Sequence, residues 1–197
     1  MEIDKTATKI LKILLKDIAV HTITSLAKET GMSRVGIWKV LKKLEKESII
    51  FLSQVGKGKT STYIVKLNWD SPVIEKKLSL ILTEDATKQE RWINNFTNLE
   101  NKVNFIILYG SILNFPKEAN DIDIICVTNK KNLGNINDII FKIQQTQIKK
   151  IHAINFTPEE FKKELEKPNR AFIDAVKKGI IIFGQDNFIK FIRGFQK

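Results

Sequence analysis

Apolar residues fall at helical spacing through the first quarter of the chain and then give way to strand-like runs. Ala7, Ile10, Leu11, Leu14 and Ile18 recur every three or four positions and predict a first helix. Thr24 is placed to cap a short second helix carrying Leu26 and Ala27, and Gly31 is placed to end it. Ser33 is placed to cap a third helix, with Ile37, Leu41 and Leu44 on one face. Arg34, Lys39, Lys42 and Lys46 lie off that apolar line. Two strand-like runs follow, Ile49 to Val55 and Ser61 to Leu67, joined by the flexible cationic turn Gly56-Lys57-Gly58-Lys59-Thr60.

The pattern then becomes helical again. Ser71-Pro72 reads as a helix start, serine at the cap and proline at the first position. Ile74, Leu78, Ile81 and Leu82 form one stripe, and Trp92, Phe96 and Leu99 a second. The first of these helices reads as a connector or dimer element; both packing within one monomer fits equally well. Beyond them, Val103 to Tyr109 and Ile124 to Val127 read as buried strands. Ile136, Ile139, Ile140 and Ile143 give a helix, and residues 149–156 a strand. Thr157 with Glu160 has the spacing of a capping box, opening a helix that carries Phe161 and Leu165. Phe172, Ile173 and Val176 suit a helix stopped by Gly179, Ile180 to Phe183 a late strand, and Phe188, Phe191 and Ile192 a closing helix. The fold class expected is α+β: a three-helix and hairpin unit over residues 1–70, a connecting helix over 71–85, and a mixed sheet with helical cover over 86–197.

Charge narrows the choice of partner. Lysine and arginine outnumber acidic residues 33 to 22, a formal net charge of +11. Residues 33–66 hold eight basic and two acidic side chains. A polyanion is the natural complement of such a segment. Cys126 is the single cysteine, so no intramolecular disulfide forms; within its apolar run it reads as a buried thiol in a reducing compartment. The first twenty residues lack a signal-peptide core, and no apolar run approaches the roughly 20 residues that span a bilayer. The expectation is a cytoplasmic protein without a membrane partner.

Helix, helix, glycine turn, helix and hairpin is the order of a winged helix-turn-helix. The segment from Thr24 to Ile50 resembles that family through Leu26-Ala27, Gly31-Met32-Ser33 and Leu41-Lys42-Lys43-Leu44-Glu45. Ser48 departs from it, standing where many relatives place glycine at the helix exit. The resemblance implies double-stranded DNA as partner, with the third helix in the major groove, where base edges are distinguishable. Arg34, Val35, Gly36, Trp38 and Lys39 would meet the bases, with Lys42 beside them. Gly36 would allow close approach to the duplex, and Val35 with Trp38 would suit thymine methyl groups. Lys57 and Lys59 on the wing would contact phosphates. Trp38 also has the position of a residue that packs on the second helix or at a dimer seam. A homodimer is an expected assembly, since such regulators bind paired half-sites.

The second half carries different chemistry. The strand ending at Tyr109 runs directly into Gly110-Ser111, and nine residues later comes Asp121-Ile122-Asp123. Strand residues two apart share a face, so Asp121 and Asp123 converge while Ile122 and Ile124 point into the core. Carboxylates that close repel each other unless a cation lies between them, and Mg²⁺, hard and at ease with phosphates, is the natural one. Gly110 leaves room for a phosphate near the backbone. Ser111 would open a helix or turn whose N–H groups and hydroxyl hold that phosphate.

Gly110, Ser111, Asp121 and Asp123 in this order resemble the DNA polymerase beta superfamily of nucleotidyltransferases, in particular its minimal members, over about residues 86–197. The resemblance implies Mg²⁺ held by Asp121 and Asp123, and an NTP, ATP being the expected one, held at Gly110 and Ser111. Active relatives carry a third carboxylate on a later strand, where two metal ions are clamped for displacement. The strand at that place, Ile148 to Asn155, holds no Asp or Glu, and His152 stands where the acid belongs. An imidazole there can ligate a metal or act as a base, which makes His152 a catalytic candidate; an ordinary strand histidine is the other reading. The Arg-Gly that often follows Gly-Ser is replaced by Leu113-Asn114-Phe115. Two function classes remain open. One is a DNA-targeted enzyme that moves a nucleotidyl group from Mg²⁺–NTP to a protein or nucleic-acid acceptor. The other is a transcriptional regulator whose degenerate transferase domain senses a nucleotide or mediates oligomerisation.

Overall fold

A computed structural model describes residues 4–58 and 61–196. The chain is α+β and divides between Ile81 and Leu82 into two compact units. Among the described residues no helix is long and apolar enough to cross a membrane.

The first unit opens with α1 (Lys5–Lys16), capped by Asp4, whose carboxylate accepts from the Thr6 N–H at 2.9 Å. A two-residue strand, β1 (His21–Thr22), leads into α2 (Ile23–Thr30). The cap of α2 is Thr22 rather than Thr24. Thr22 has extended backbone, its hydroxyl accepts from the Ser25 N–H at 3.2 Å, and the Ser25 hydroxyl accepts from the Thr22 N–H at 2.8 Å. Strand geometry at Thr22 frees its side chain to turn back, whereas Thr24 already lies inside the first turn. Gly31, with φ +75°, closes α2 in the left-handed conformation. Ser33 caps α3 (Arg34–Lys46) by accepting from the Gly36 N–H at 3.1 Å. Ile10, Leu11, Leu14, Leu26, Ile37, Leu41 and Leu44 form the buried faces of the three helices. Ile18 falls beyond the end of α1 and is only half-buried.

Strands β2 (Ile50–Val55) and β3 (Thr62–Leu67) make the hairpin, and β1 adds to its other side in the antiparallel order β1-β3-β2. Lys59 and Thr60 of the turn between them lie outside the described residues. At the exit of α3, Ser48 adopts φ +55°. Its N–H bonds to the Glu45 carbonyl and the Ile49 N–H to the Leu44 carbonyl, each at 2.9 Å, completing a Schellman motif with serine where glycine is usual. The Asn68 side-chain amide donates to the Ser48 carbonyl at 2.9 Å and holds the turn.

Helix α4 (Ile74–Thr87) begins later than Ser71-Pro72 suggests. Ser71 to Val73 fold into a turn, and the first helical bond runs from the Lys77 N–H to the Val73 carbonyl at 2.9 Å. The helix carries the boundary between the two units. In the second unit, α5 (Glu90–Phe96) tightens into a 3₁₀ stretch, Thr97–Lys102, that holds Leu99. Strand β4 (Phe105–Tyr109) starts two residues after Val103. Then come a three-residue 3₁₀ turn, Ser111–Leu113, and β5 (Asp121–Val127). Helix α6 (Leu133–Gln144), β6 (Lys150–Phe156), α7 (Pro158–Glu166), α8 (Arg170–Lys178), β7 (Ile180–Phe183) and α9 (Gln185–Gln196) complete the chain. The Thr157–Glu160 capping box forms as its spacing suggests.

The four strands lie in the order β6-β5-β4-β7. Strand β4 runs antiparallel to β5 and β7, and β5 runs parallel to β6. Alternation splits the sheet into two faces. Ile106, Leu108, Ile122, Ile124 and Cys126 pack in one core with Trp92, Phe96, Ile136 and Ile143 of α5 and α6. On the opposite face Phe105 meets Phe161 and Phe188, of α7 and α9, edge to face at 5.4 and 5.3 Å between ring centroids.

Candidate functional site

The residues expected to meet DNA lie along the start of α3 and on the wing. Arg34, Val35 and Lys39 are exposed, and Val35 keeps 67% of its surface open. A Cβ at Gly36 would sit 3.2 Å from the Met32 methyl and 3.3 Å from the Ser33 hydroxyl, tight contacts to which those side chains would have to give way. Trp38 is half-buried and turns toward the wing, its ring 5.0 Å from that of Tyr63 on β3. The Lys42 ammonium lies over the same ring at 4.7 Å and pairs with Glu45 at 2.8 Å. An open groove of about 370 Å³ results, with Arg34, Val35 and Trp38 on one wall and Ser61, Thr62 and Tyr63 on the other. Sequence reasoning missed Thr62 and Tyr63, since nothing local distinguishes them from other strand residues. Lys57 is exposed on the wing.

In the second unit the strand register assembles a group of side chains at one end of the sheet. Asp123 pairs with Tyr109 across the antiparallel ladder and with His152 across the parallel one. Asp121 and Asp123 share a face, as strand spacing requires. His152 stands between them, its Nδ1 3.8 Å from an Asp121 oxygen and 3.6 Å from an Asp123 oxygen. The place at which a cation was expected is thus partly taken by an imidazole. Burial raises the Asp123 pKa above its ordinary value; the charge of His152 opposes the rise and Asp121 adds to it. Burial also raises the Tyr109 phenol, with Asp123 reinforcing.

Gly110 adopts φ +83° and ψ −164°, a region essentially restricted to glycine. The space where its Cβ would project is filled by the Asp123 carboxylate, not left clear for a phosphate. Ser111 opens a single 3₁₀ turn rather than an α-helix, so a helix dipole contributes nothing here. The loop between Ser111 and Asp121 is tied back by Lys149, whose ammonium donates to the carbonyls of Lys117 and Ala119. Beside Gly110 and Ser111 opens a cavity of about 690 Å³. Tyr109, Leu113 and Phe115 give it apolar wall, and α8 contributes Asp174 and Lys178, which pair at 3.0 Å. The two α8 residues carry no recognisable motif and come to the site only through the packing of α8 beside β4.

The donor set suits one hard cation better than two. Asp121 is partly exposed and Asp123 adjoins it, a pair that can hold one Mg²⁺ together with water and phosphate oxygens. Strand β6 places the imidazole of His152, not a carboxylate, at the register position beside Asp123.

Residues 6–58 match the model of an HTH domain, so the first unit carries a helix-turn-helix of winged type. Among solved structures, the chain is similar to the zinc-responsive MarR family member ZitR of Lactococcus lactis, with 22% identity and a TM-score of 0.34. That alignment covers 51% of this chain and 63% of the other, under two thirds of its length. A mutant of the same ZitR aligns over 74% of this chain and 79% of its own, at 17% identity and a TM-score of 0.32. No curated protein matches the chain.

Proposed function

We propose that the protein is a DNA-binding transcriptional regulator whose second domain is a nucleotidyltransferase-like sensor that binds a nucleotide without transferring it. The observation that carries the first part is the exposed row Arg34, Val35 and Lys39 at the start of α3, beside a cationic wing, within the segment that matches an HTH domain. Arg34 and Lys39 contribute charge toward phosphates and base edges, and Val35 an apolar contact for a thymine methyl. Trp38 packs its ring against Tyr63 of the wing strand and would brace the wing beside α3.

The second part rests on the residues around Gly110. Asp121 and Asp123 would hold one Mg²⁺, and Ser111 and the neighbouring cavity would take the nucleotide. When bound, the ion neutralises phosphate charge. His152 in place of a third acid favours retention over transfer. A transferring enzyme is the second reading, favoured by the convergence of Asp121, Asp123 and His152 beside a cavity large enough for a nucleotide. Dimerisation on paired half-sites belongs with the regulator reading.

The deciding experiment measures the anisotropy of labelled duplex DNA against the full chain over a range of salt, with and without Mg²⁺–ATP. A steep salt dependence that Mg²⁺–ATP shifts supports a nucleotide-sensing regulator. Absence of DNA binding at low salt overturns it. Transfer of label from NTP to an acceptor, lost in Asp121→Asn/Asp123→Asn, would replace the sensor with an enzyme.

A further inference from the structure

Three residues of the first unit that no DNA contact uses come together at one point. Asp17 is the C-cap of α1, and one of its carboxylate oxygens accepts from the Ala19 N–H at 3.0 Å. The other lies 3.6 Å from Nε2 of His21. His21 is held in β1 by its pairing with Val65 of β3. Glu29, near the end of α2, brings a carboxylate oxygen to 3.7 Å from Nδ1 of the same ring.

The imidazole is the informative member. Only 3% of His21 is exposed, and neither ring nitrogen has a hydrogen bond. Separations of 3.6 and 3.7 Å exceed those of real hydrogen bonds. A ring buried without a hydrogen bond carries a desolvation penalty, so the chain retains this arrangement at a cost. One donor atom from each residue can be chosen so that all three lie within 4.8 Å of one another. Ligands around a tetrahedral ion at bond lengths of about 2.1 Å sit roughly 3.4 Å apart, so small side-chain rotations would close the set. Two carboxylates and an imidazole also balance the charge of a divalent ion. Among the described residues it is the one set of three or more histidine, cysteine and acidic side chains whose ligand atoms all lie so close together.

We infer that Asp17, His21 and Glu29 form a binding site for a divalent transition-metal ion that braces the winged helix. Mixed nitrogen and oxygen donors select a zinc-like ion over Mg²⁺ or Ca²⁺. Glu29, the most exposed of the three, faces the water that completes the shell. The ion joins the end of α1, the strand paired with the wing and the helix preceding α3. Metal occupancy therefore stiffens the frame on which the DNA-facing residues stand.

The test uses the full chain, stripped with chelator, in an Asp121→Asn/Asp123→Asn background so that the second unit contributes no carboxylate site. Calorimetric titration with Zn²⁺ should show one saturable equivalent, and the thermal midpoint should rise with it. Co²⁺ should give the visible absorption of a four-coordinate site. Glu29→Gln and His21→Gln should each weaken Zn²⁺ by more than the roughly 10–100-fold that loss of an outer-shell partner costs. His21→Gln removes a buried group and could unfold the unit; Glu29→Gln, partly exposed, then carries the test, with circular dichroism confirming its fold. Absence of saturable Zn²⁺ binding, or binding that survives Glu29→Gln unchanged, overturns the site.

Discussion

The carboxylate of Asp123 occupies the volume into which a side chain at Gly110 would project. The two residues meet because β4 and β5 pair Tyr109 with Asp123, which brings the next residue of β4's exit alongside that carboxylate. Backbone conformation and close approach both demand glycine at position 110.

Gly110→Ala should therefore be among the more damaging small substitutions in the second unit. The conformation alone costs on the order of 1–3 kcal/mol, before any collision. Chemical denaturation should show the loss. Combining it with Asp123→Ala should recover the part due to contact and leave the part due to the backbone. Full additivity of the two changes would disprove the contact.

Stability should depend on pH through Asp123. Its folded-state pKa is raised, so the neutral acid is favoured and the stabilising contribution exists below the unfolded pKa. That contribution disappears as pH rises through the folded value, and at neutral pH the ionised carboxylate is a cost. Asp123→Asn, with chelator present, should raise the thermal midpoint at neutral pH and lose its advantage as pH falls through the carboxylate range. A constant difference across that range would contradict the assignment.

Ser48 pays the left-handed penalty that glycine avoids, at φ +55°. Ser48→Gly should stabilise the first unit by on the order of 1 kcal/mol, read as a shift in denaturation midpoint without a change in slope. The same change should leave DNA affinity untouched.

Positioning and direct charge pairing should separate in DNA titrations. Arg34→Ala and Lys39→Ala should each reduce the salt slope by about 0.9 for every phosphate that the removed side chain had neutralised. Trp38→Ala should weaken binding to all sequences alike while leaving that slope near its parent value, because the ring holds the wing through Tyr63. Trp38→Phe should recover much of the affinity. Lys42, paired with Glu45, should matter less than Lys39.

Cys126 is fully buried, and burial pushes its thiol up to about 12. Thiol reagents at neutral pH should label it only under unfolding conditions, so its modification rate reports opening of the second unit's core. Rapid labelling of the native chain would count against this.

The placement of most elements follows from local rules that the chain states openly. Gly31, Ser33 and the Thr157–Glu160 pair act within a turn of their own position, and the three-four spacing of Ile37, Leu41 and Leu44 needs only helix geometry. Sequence and structure part where the outcome depends on neighbours. Thr22 takes the cap from Thr24 because β1 pairs with β3, a partner more than forty residues away in the chain. Ser48 keeps a conformation that its own chemistry disfavours, because the Schellman bonds and Asn68 hold it. Asp121 and Asp123 share a face by strand alternation, which sequence alone determines. That His152 stands between them, that Asp123 fills the hollow of Gly110, and that His21 is walled in by Asp17 and Glu29 were decided by register and packing. Those are sums over distant interactions, and no window along the chain contains them.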